Sequence, residues 1–182
     1  MTEGNSHQRY IGVTDEPLCE EGRKLLEKFT YPAVQALFVS PLTASILFPK
    51  GEQRIVPLLA ECDFGEFENK NYKELSDNPH YQEWIDSNGT LPFPGGESKE
   101  ECADRNLKGF DEVLKACRDE GITEAALVVH GGTIMNIMEK YALPKKEFYE
   151  WHIGNGCGYL VELDPVLWKK DRRNLKLLGE QK

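Results

Sequence analysis

The phrase Ala125-Ala126-Leu127-Val128-Val129-His130-Gly131-Gly132 runs through apolar, β-forming residues and stops at a histidine and two glycines. Residues Thr133 to Tyr141 then have helical character. The spacing predicts a buried strand with an imidazole at its C-terminal mouth, where open α/β sheets bind ligands. A histidine beside a strand is often a satisfied structural residue, because an ordinary pKa near ~6.5 makes the ring useful without making it used. The glycines favour chemistry. They remove bulk beside the ring and let backbone amides approach a ligand, and a helix starting after them points its positive end at an anion. The ligand implied is negatively charged.

Histidine can serve as base, nucleophile or metal ligand, and each role needs companions. His7, His80 and His152 are scattered without a His-x-His or His-Glu-x-x-His pattern, so no metal site is expected. A serine hydrolase could use His-Gly-Gly as an oxyanion loop, but the chain has no Gly-x-Ser-x-Gly elbow. Phosphoryl chemistry fits better. It needs an acid to protonate a leaving alcohol, and Glu61-Cys62-Asp63-Phe64-Gly65-Glu66-Phe67-Glu68 sets four carboxylates among aromatics. Burial beside Phe64 or Phe67 would raise a carboxyl's pKa towards neutrality, as a general acid requires. Composition by itself reads the same segment as a solvated acidic turn. Gly154-Asn155-Gly156-Cys157-Gly158 could form an anion nest, but it leads into a strand and reads mainly as a turn.

The elements that must position these groups belong to a chain of 182 residues, 40% hydrophobic and 29% charged, which suits one globular domain. A net charge of -9 argues against a nucleic-acid surface. The basic stretch Lys169-Lys170-Asp171-Arg172-Arg173 reads as a solvated turn before a last strand. Cys19, Cys62, Cys102, Cys117 and Cys157 are odd in number and lack Cys-x-x-Cys spacing, which suggests reduced thiols and neither a disulfide framework nor a zinc knuckle. No apolar stretch of transmembrane length and no signal-peptide pattern are evident, so no membrane partner is expected and the cytoplasm is the expected compartment.

A turn at Asp15-Glu16-Pro17-Leu18 should lead into a helix reaching about Thr30, with Leu25, Leu26 and Phe29 at helical spacing. Ala36 to Val39 reads as a short strand, residues 43 to 48 as briefly helical, and Arg54 to Leu59 as extended. Two helical stretches follow, near Tyr72 to Ser76 and Tyr81 to Asp86, and then a breaker-rich loop, Pro92 to Ser98. A long helix should start at Ser98, with Glu101 completing a capping box, carry the stripe Leu107, Phe110, Val113, Leu114 and Cys117, and stop at Gly121. After the histidine-bearing strand and its helix come a Pro144 break and strands at Tyr159 to Leu163 and Leu175 to Leu178. Alternating strands and helices imply a three-layer α/β/α sandwich with a mostly parallel sheet.

In this order the motifs resemble the histidine phosphatase superfamily, with its phosphoglycerate-mutase-like fold, and within it the small bacterial phosphatases of the alpha-ribazole phosphatase type. Thr2, Asn5, Arg9-Tyr10-Ile11-Gly12 and Asp15-Glu16-Pro17-Leu18 resemble the stretch after the family's first catalytic motif, and Val39-Ser40-Pro41-Leu42 a phosphate-pocket strand end. Glu61 with Phe64-Gly65 matches the acid loop. Gly95-Gly96-Glu97-Ser98 and Arg105 match the next signature, and His130-Gly131-Gly132 matches the second catalytic histidine. The resemblance implies hydrolysis of a small phosphorylated metabolite through a phosphohistidine, without metal or cofactor. His130 would contact the transferring phosphoryl group and Glu61 would act as acid and then base. Thr2, Asn5, Arg9, Gly12 and Gly131 would shape the pocket.

Two departures accompany the matches. The family's Arg-His-Gly triplet, which carries the phosphorylated histidine at the end of the first strand, does not occur in this sequence. The resemblance therefore implies a domain over residues 1–182 that is truncated at its N-terminus, its first strand missing from near the centre of the sheet. After Ser40-Pro41-Leu42 the chain runs straight into Thr43-Ala44-Ser45, without the basic residue and arginine of the family pattern. His7 follows Asn5 on a loop and is not an evident substitute nucleophile. Strong activity is not expected of the chain as written, and the alternative is an inactive relative that binds a phosphorylated ligand or a partner protein.

Overall fold

The computed structural model of the chain describes residues 1–14, 16–39 and 52–181. Four consecutive apolar residues form β1 (Ala36–Val39), and all four are buried. Such a strand needs cover on both faces and both edges. It pairs in parallel with β2 (Gln53–Ile55) on one side and β3 (Ala125–Val128) on the other. Ala36 and Phe38 enter the main core, whereas Leu37 and Val39 pack with Ala126 and Val128 on the opposite face. That alternation is the two-residue period of a strand between two layers.

A second sheet has the order β4 (Ala142–Leu143), β6 (Leu175–Gln181), β5 (Gly158–Leu163). β4 and β6 run parallel; β5 and β6 run antiparallel with an irregularity between Leu160 and Val161. The chain is thus a mixed α/β fold with mostly parallel pairing. Among the described residues no ladder joins the two sheets.

The helices are α1 (Glu3–Ser6), α2 (Glu20–Leu26), α3 (Pro79–Asp86), α4 (Lys99–Glu120), α5 (Gly131–Tyr141) and α6 (Pro165–Lys169). Local chemistry sets both ends of α4. Ser98 and Glu101 close a capping box, and Gly121 ends the helix in the left-handed region at φ 70°. Its buried face carries Cys102, Asn106, Gly109, Phe110 and Val113. At Gly109 a Cβ would lie 2.9 Å from the Leu58 Cβ, so glycine lets the helix approach the turn at Pro57–Leu59. Leu59, Phe110, Val113, Ile137, Trp151 and Leu175 share the resulting core, each buried side chain contributing about 1.5–3 kcal/mol.

Three local expectations change. Of the segment from Arg54 to Leu59 only Arg54 and Ile55 belong to a strand, because Pro57 opens a 3-10 turn that buries Leu59. Residues 72–76 form hydrogen-bonded turns, with the Leu75 N–H donating to Asn71 O at 3.0 Å, instead of a helix. The first long helix narrows to Glu20–Leu26, capped by Cys19. The helix expected over residues 43–48 lies outside the described residues. No helix among the described residues is long and apolar enough to cross a membrane.

Candidate active site

His130 is the N-cap of α5, in extended conformation, with Val129 between it and Val128, the end of β3. Its carbonyl accepts the Ile134 N–H at 3.0 Å, while its ring makes no capping hydrogen bond. Burial pushes the imidazole below its ordinary pKa, and the nearby Glu61 charge offsets part of that shift. A neutral ring presents one N–H donor and one acceptor.

Glu61 meets the same helix start. Its Oε2 accepts the Gly132 N–H at 3.0 Å, and its Oε1 accepts the N–H of Cys62 at 2.9 Å. A Cβ on residue 132 would overlap the Glu61 carboxylate, so this approach requires glycine. At Gly131 no atom of the described residues, its chain neighbours and the helix's own backbone aside, lies within 4 Å of the Cβ position. The structure separates the four carboxylates of the acidic phrase. Asp63 Oδ1 caps the Gly65 N–H at 2.9 Å, Glu66 pairs with His80 at 3.0 Å, and Glu68 accepts the N–H groups of Gly12 and Thr14 at 2.8 and 3.0 Å. Glu61 is the one set against the histidine.

A polar scaffold holds the backbone that delivers Glu61. Arg105 donates to the carbonyls of Leu58 (3.0 Å), Ala60 (2.9 Å) and Glu61 (3.0 Å), and grips Glu97 in a two-pronged ion pair at 2.7 and 2.6 Å. Beside that guanidinium the Glu97 carboxyl is held below the usual carboxylate range, and its Oε2 also accepts the Asp63 N–H at 3.0 Å. Asn106 donates to Leu58 O and Ala60 O at 3.1 and 3.0 Å, and Thr133 reaches Leu59 O at 3.2 Å. Asn136 links α5 to Asn106 at 2.9 Å. Sequence reading missed Asn106, Thr133 and Asn136. The available signal was polar side chains on helix faces that are otherwise apolar, Asn106 standing four residues from both Cys102 and Phe110.

The remaining candidates have other partners. Thr2 and Asn5 cap α1 reciprocally, Thr2 Oγ1 accepting the Asn5 N–H at 3.2 Å and Asn5 Oδ1 the Thr2 N–H at 3.3 Å. The Arg9 guanidinium pairs with Glu74 at 2.7 Å. Gly12 sits against the acid loop, where a Cβ would overlap the Cys62 carbonyl. His7 is exposed and pairs with Glu3 at 3.2 Å. Residues 40–45, where the basic pair of the family pattern was sought, lie outside the described residues. A cavity of about 210 Å³ lined by His80, Glu83, Trp84, Leu91, Pro92 and Pro94 includes neither Glu61 nor His130.

A histidine just beyond a strand end and a carboxylate on the adjoining helix amide thus sit together in an α/β frame. The sequence matches the histidine phosphatase superfamily (branch 1) over residues 1–176, and the chain belongs to that family. Among solved structures it is similar to the alpha-ribazole phosphatase from Shigella flexneri, with TM-score 0.79 and 16% identity over 100% of this chain and 92% of that one. It is also similar to a phosphoglycerate mutase from Thermus thermophilus, with TM-score 0.69 and 26% identity over 100% of this chain and 94% of that one. A search of the curated proteins finds no significant match.

Proposed function

We propose that this chain is a phosphomonoester hydrolase of the histidine phosphatase type, a single cytoplasmic domain acting on a small phosphorylated metabolite, with very low turnover in the 182-residue polypeptide itself. The observation that carries the reading is the Glu61 carboxylate on the Gly132 N–H at 3.0 Å, at the start of the helix that His130 caps. A phosphoryl group placed beside Gly131 would meet the neutral His130 ring, which donates to its oxygens, and the positive end of α5. Glu61 would protonate the departing alcohol and then draw a proton from the attacking water. Thr2, Asn5, Arg9, Gly12 and Gly131 would shape the rim. No metal or cofactor is needed for these steps.

Low turnover follows from the histidine inventory. The others are engaged elsewhere or exposed: His7 with Glu3, His80 with Glu66, and His152 on the surface. Removing a covalent nucleophile costs on the order of a millionfold in the best-studied hydrolase case. The same observation supports the second reading, a relative that binds a phosphorylated ligand or partner without turning it over. The purified polypeptide should therefore give negligible hydrolysis of p-nitrophenyl phosphate and no acid-labile phosphohistidine. Robust turnover that disappears in His130→Ala would overturn the low-activity reading and leave another side chain acting as nucleophile.

A further inference from the structure

Directly behind Glu61, on the core side of its loop, two cysteines meet a carboxylate. The Sγ atoms of Cys62 and Cys102 and a carboxylate oxygen of Glu97 all lie within 4.8 Å of one another. Cys62 is 7% exposed and Cys102 3%. The ligands come from the acid loop, the residue before the Ser98 cap and the first turns of α4, so nothing in their linear spacing announces them. Cys19, Cys117 and Cys157 form no such group among the described residues.

We propose that Cys62, Cys102 and Glu97 form a binding site for a thiophilic divalent cation of the zinc type. A tetrahedral zinc centre sets sulfur ligands at about 2.3 Å and carboxylate oxygens at about 2.0–2.2 Å, which puts ligand atoms about 3.3–3.8 Å apart. Small rotations of two thiol side chains reach that spacing from the present one. A water molecule would complete the tetrahedral set.

Charge supports the assignment. Two thiolates and a carboxylate would be costly to bury together, but a dication and the Arg105 guanidinium bring the assembly to neutrality. Arg105 already contacts both groups, with Nη2 at 2.6 Å from Glu97 Oε2 and 3.7 Å from Cys102 Sγ. Uptake of the cation displaces the thiol protons, because only the thiolates are ligands. Binding breaks the S–H bonds, passes the protons to solvent and forms metal–sulfur bonds, with no change in oxidation state.

Occupancy would fasten the acid loop to α4. Cys62 supplies both a ligand and the N–H that holds Glu61 Oε1, so a bound cation fixes the carboxylate from behind without touching the phosphoryl space.

The probe is Co2+, whose spectrum reports its ligands, added to the reduced chain and to a Cys19→Ala, Cys117→Ala, Cys157→Ala variant. Both should bind one equivalent with proton release, an intense near-ultraviolet thiolate-to-cobalt band and strong visible bands of tetrahedral form, and Zn2+ should bleach them. Cys62→Ser and Cys102→Ser, each checked for native circular dichroism, should lose the band. A weak spectrum like that of the hydrated ion in the wild-type chain would overturn the proposal whether or not the variants fold. So would a band that survives in Cys102→Ser.

Discussion

Glycine does opposite things at two adjacent positions. At Gly132 an added methyl group would collide with the Glu61 carboxylate, whereas at Gly131 it would meet no side chain of the described residues beyond its chain neighbours. Alanine is the better helix former, so neither substitution should greatly destabilise the fold. Gly132→Ala should displace Glu61 and remove residual hydrolysis even in a fully folded protein. Gly131→Ala should leave Glu61 in place and weaken phosphate binding by intruding on the ligand's space. Calorimetry with inorganic phosphate, beside a thermal melt, separates the two; equal effects of both variants would count against the assigned geometry. The histidine carries its own signature. Its pKa is lowered on folding, so between the folded and ordinary values the unfolded chain binds more protons. This contribution to stability is complete above the ordinary histidine range and is lost as pH falls through that range towards the folded value. Urea unfolding of His130→Gln should show a shallower fall in stability across that interval than the wild-type chain does.

At the level of elements, the acid loop depends on α4 more than on its own residues. Arg105 ties the carbonyls of Leu58, Ala60 and Glu61, which lead into that loop, to Glu97, in a pair whose side chains are 22% and 23% exposed. Lysine keeps the charge but cannot reproduce the planar fork. Arg105→Lys should cost about 1–3 kcal/mol, since it breaks the two-pronged pair with Glu97 and removes the donor to the Glu61 carbonyl, and should lower activity further by releasing Glu61. Denaturant midpoints check the first effect, and a midpoint equal to wild type would show that the scaffold is not held this way. How far such elements could be read in advance depended on whether their determinants are local. The ends of α4 were legible because Ser98, Glu101 and Gly121 act within a turn of the helix. β1 and β3 were legible as apolar runs, although β3, expected to be buried, is only half-buried and exposed at Ala125. The contact between Glu61 and Gly132 joins residues 71 positions apart, and only the resemblance brought them into one site. Thr2 and Asn5 were read as pocket residues, yet their spacing also fits a local helix cap, which is how the structure uses them. The Cys62, Glu97 and Cys102 cluster left no trace in spacing, because packing alone assembles it.

For the whole molecule, charge determines how an anion can be held. The net charge is -9, and two arginines of the candidate region already hold carboxylates, Arg9 with Glu74 and Arg105 with Glu97. Among the described residues the attraction proposed for phosphate rests on the amides at the start of α5 and the His130 ring, so binding should be weak and reduced further by salt. A two-dimensional NMR titration of the isotopically labelled chain with inorganic phosphate, at low and high ionic strength, tests whether Glu61, His130 and the first residues of α5 form the proposed phosphoryl site. Saturable shifts of the Gly131 and Gly132 amides and the His130 ring signals are expected, weakened by salt and abolished in a folded His130→Ala variant. Phosphate that leaves these signals unmoved, or that binds His130→Ala as tightly as the wild type, would contradict the proposed site.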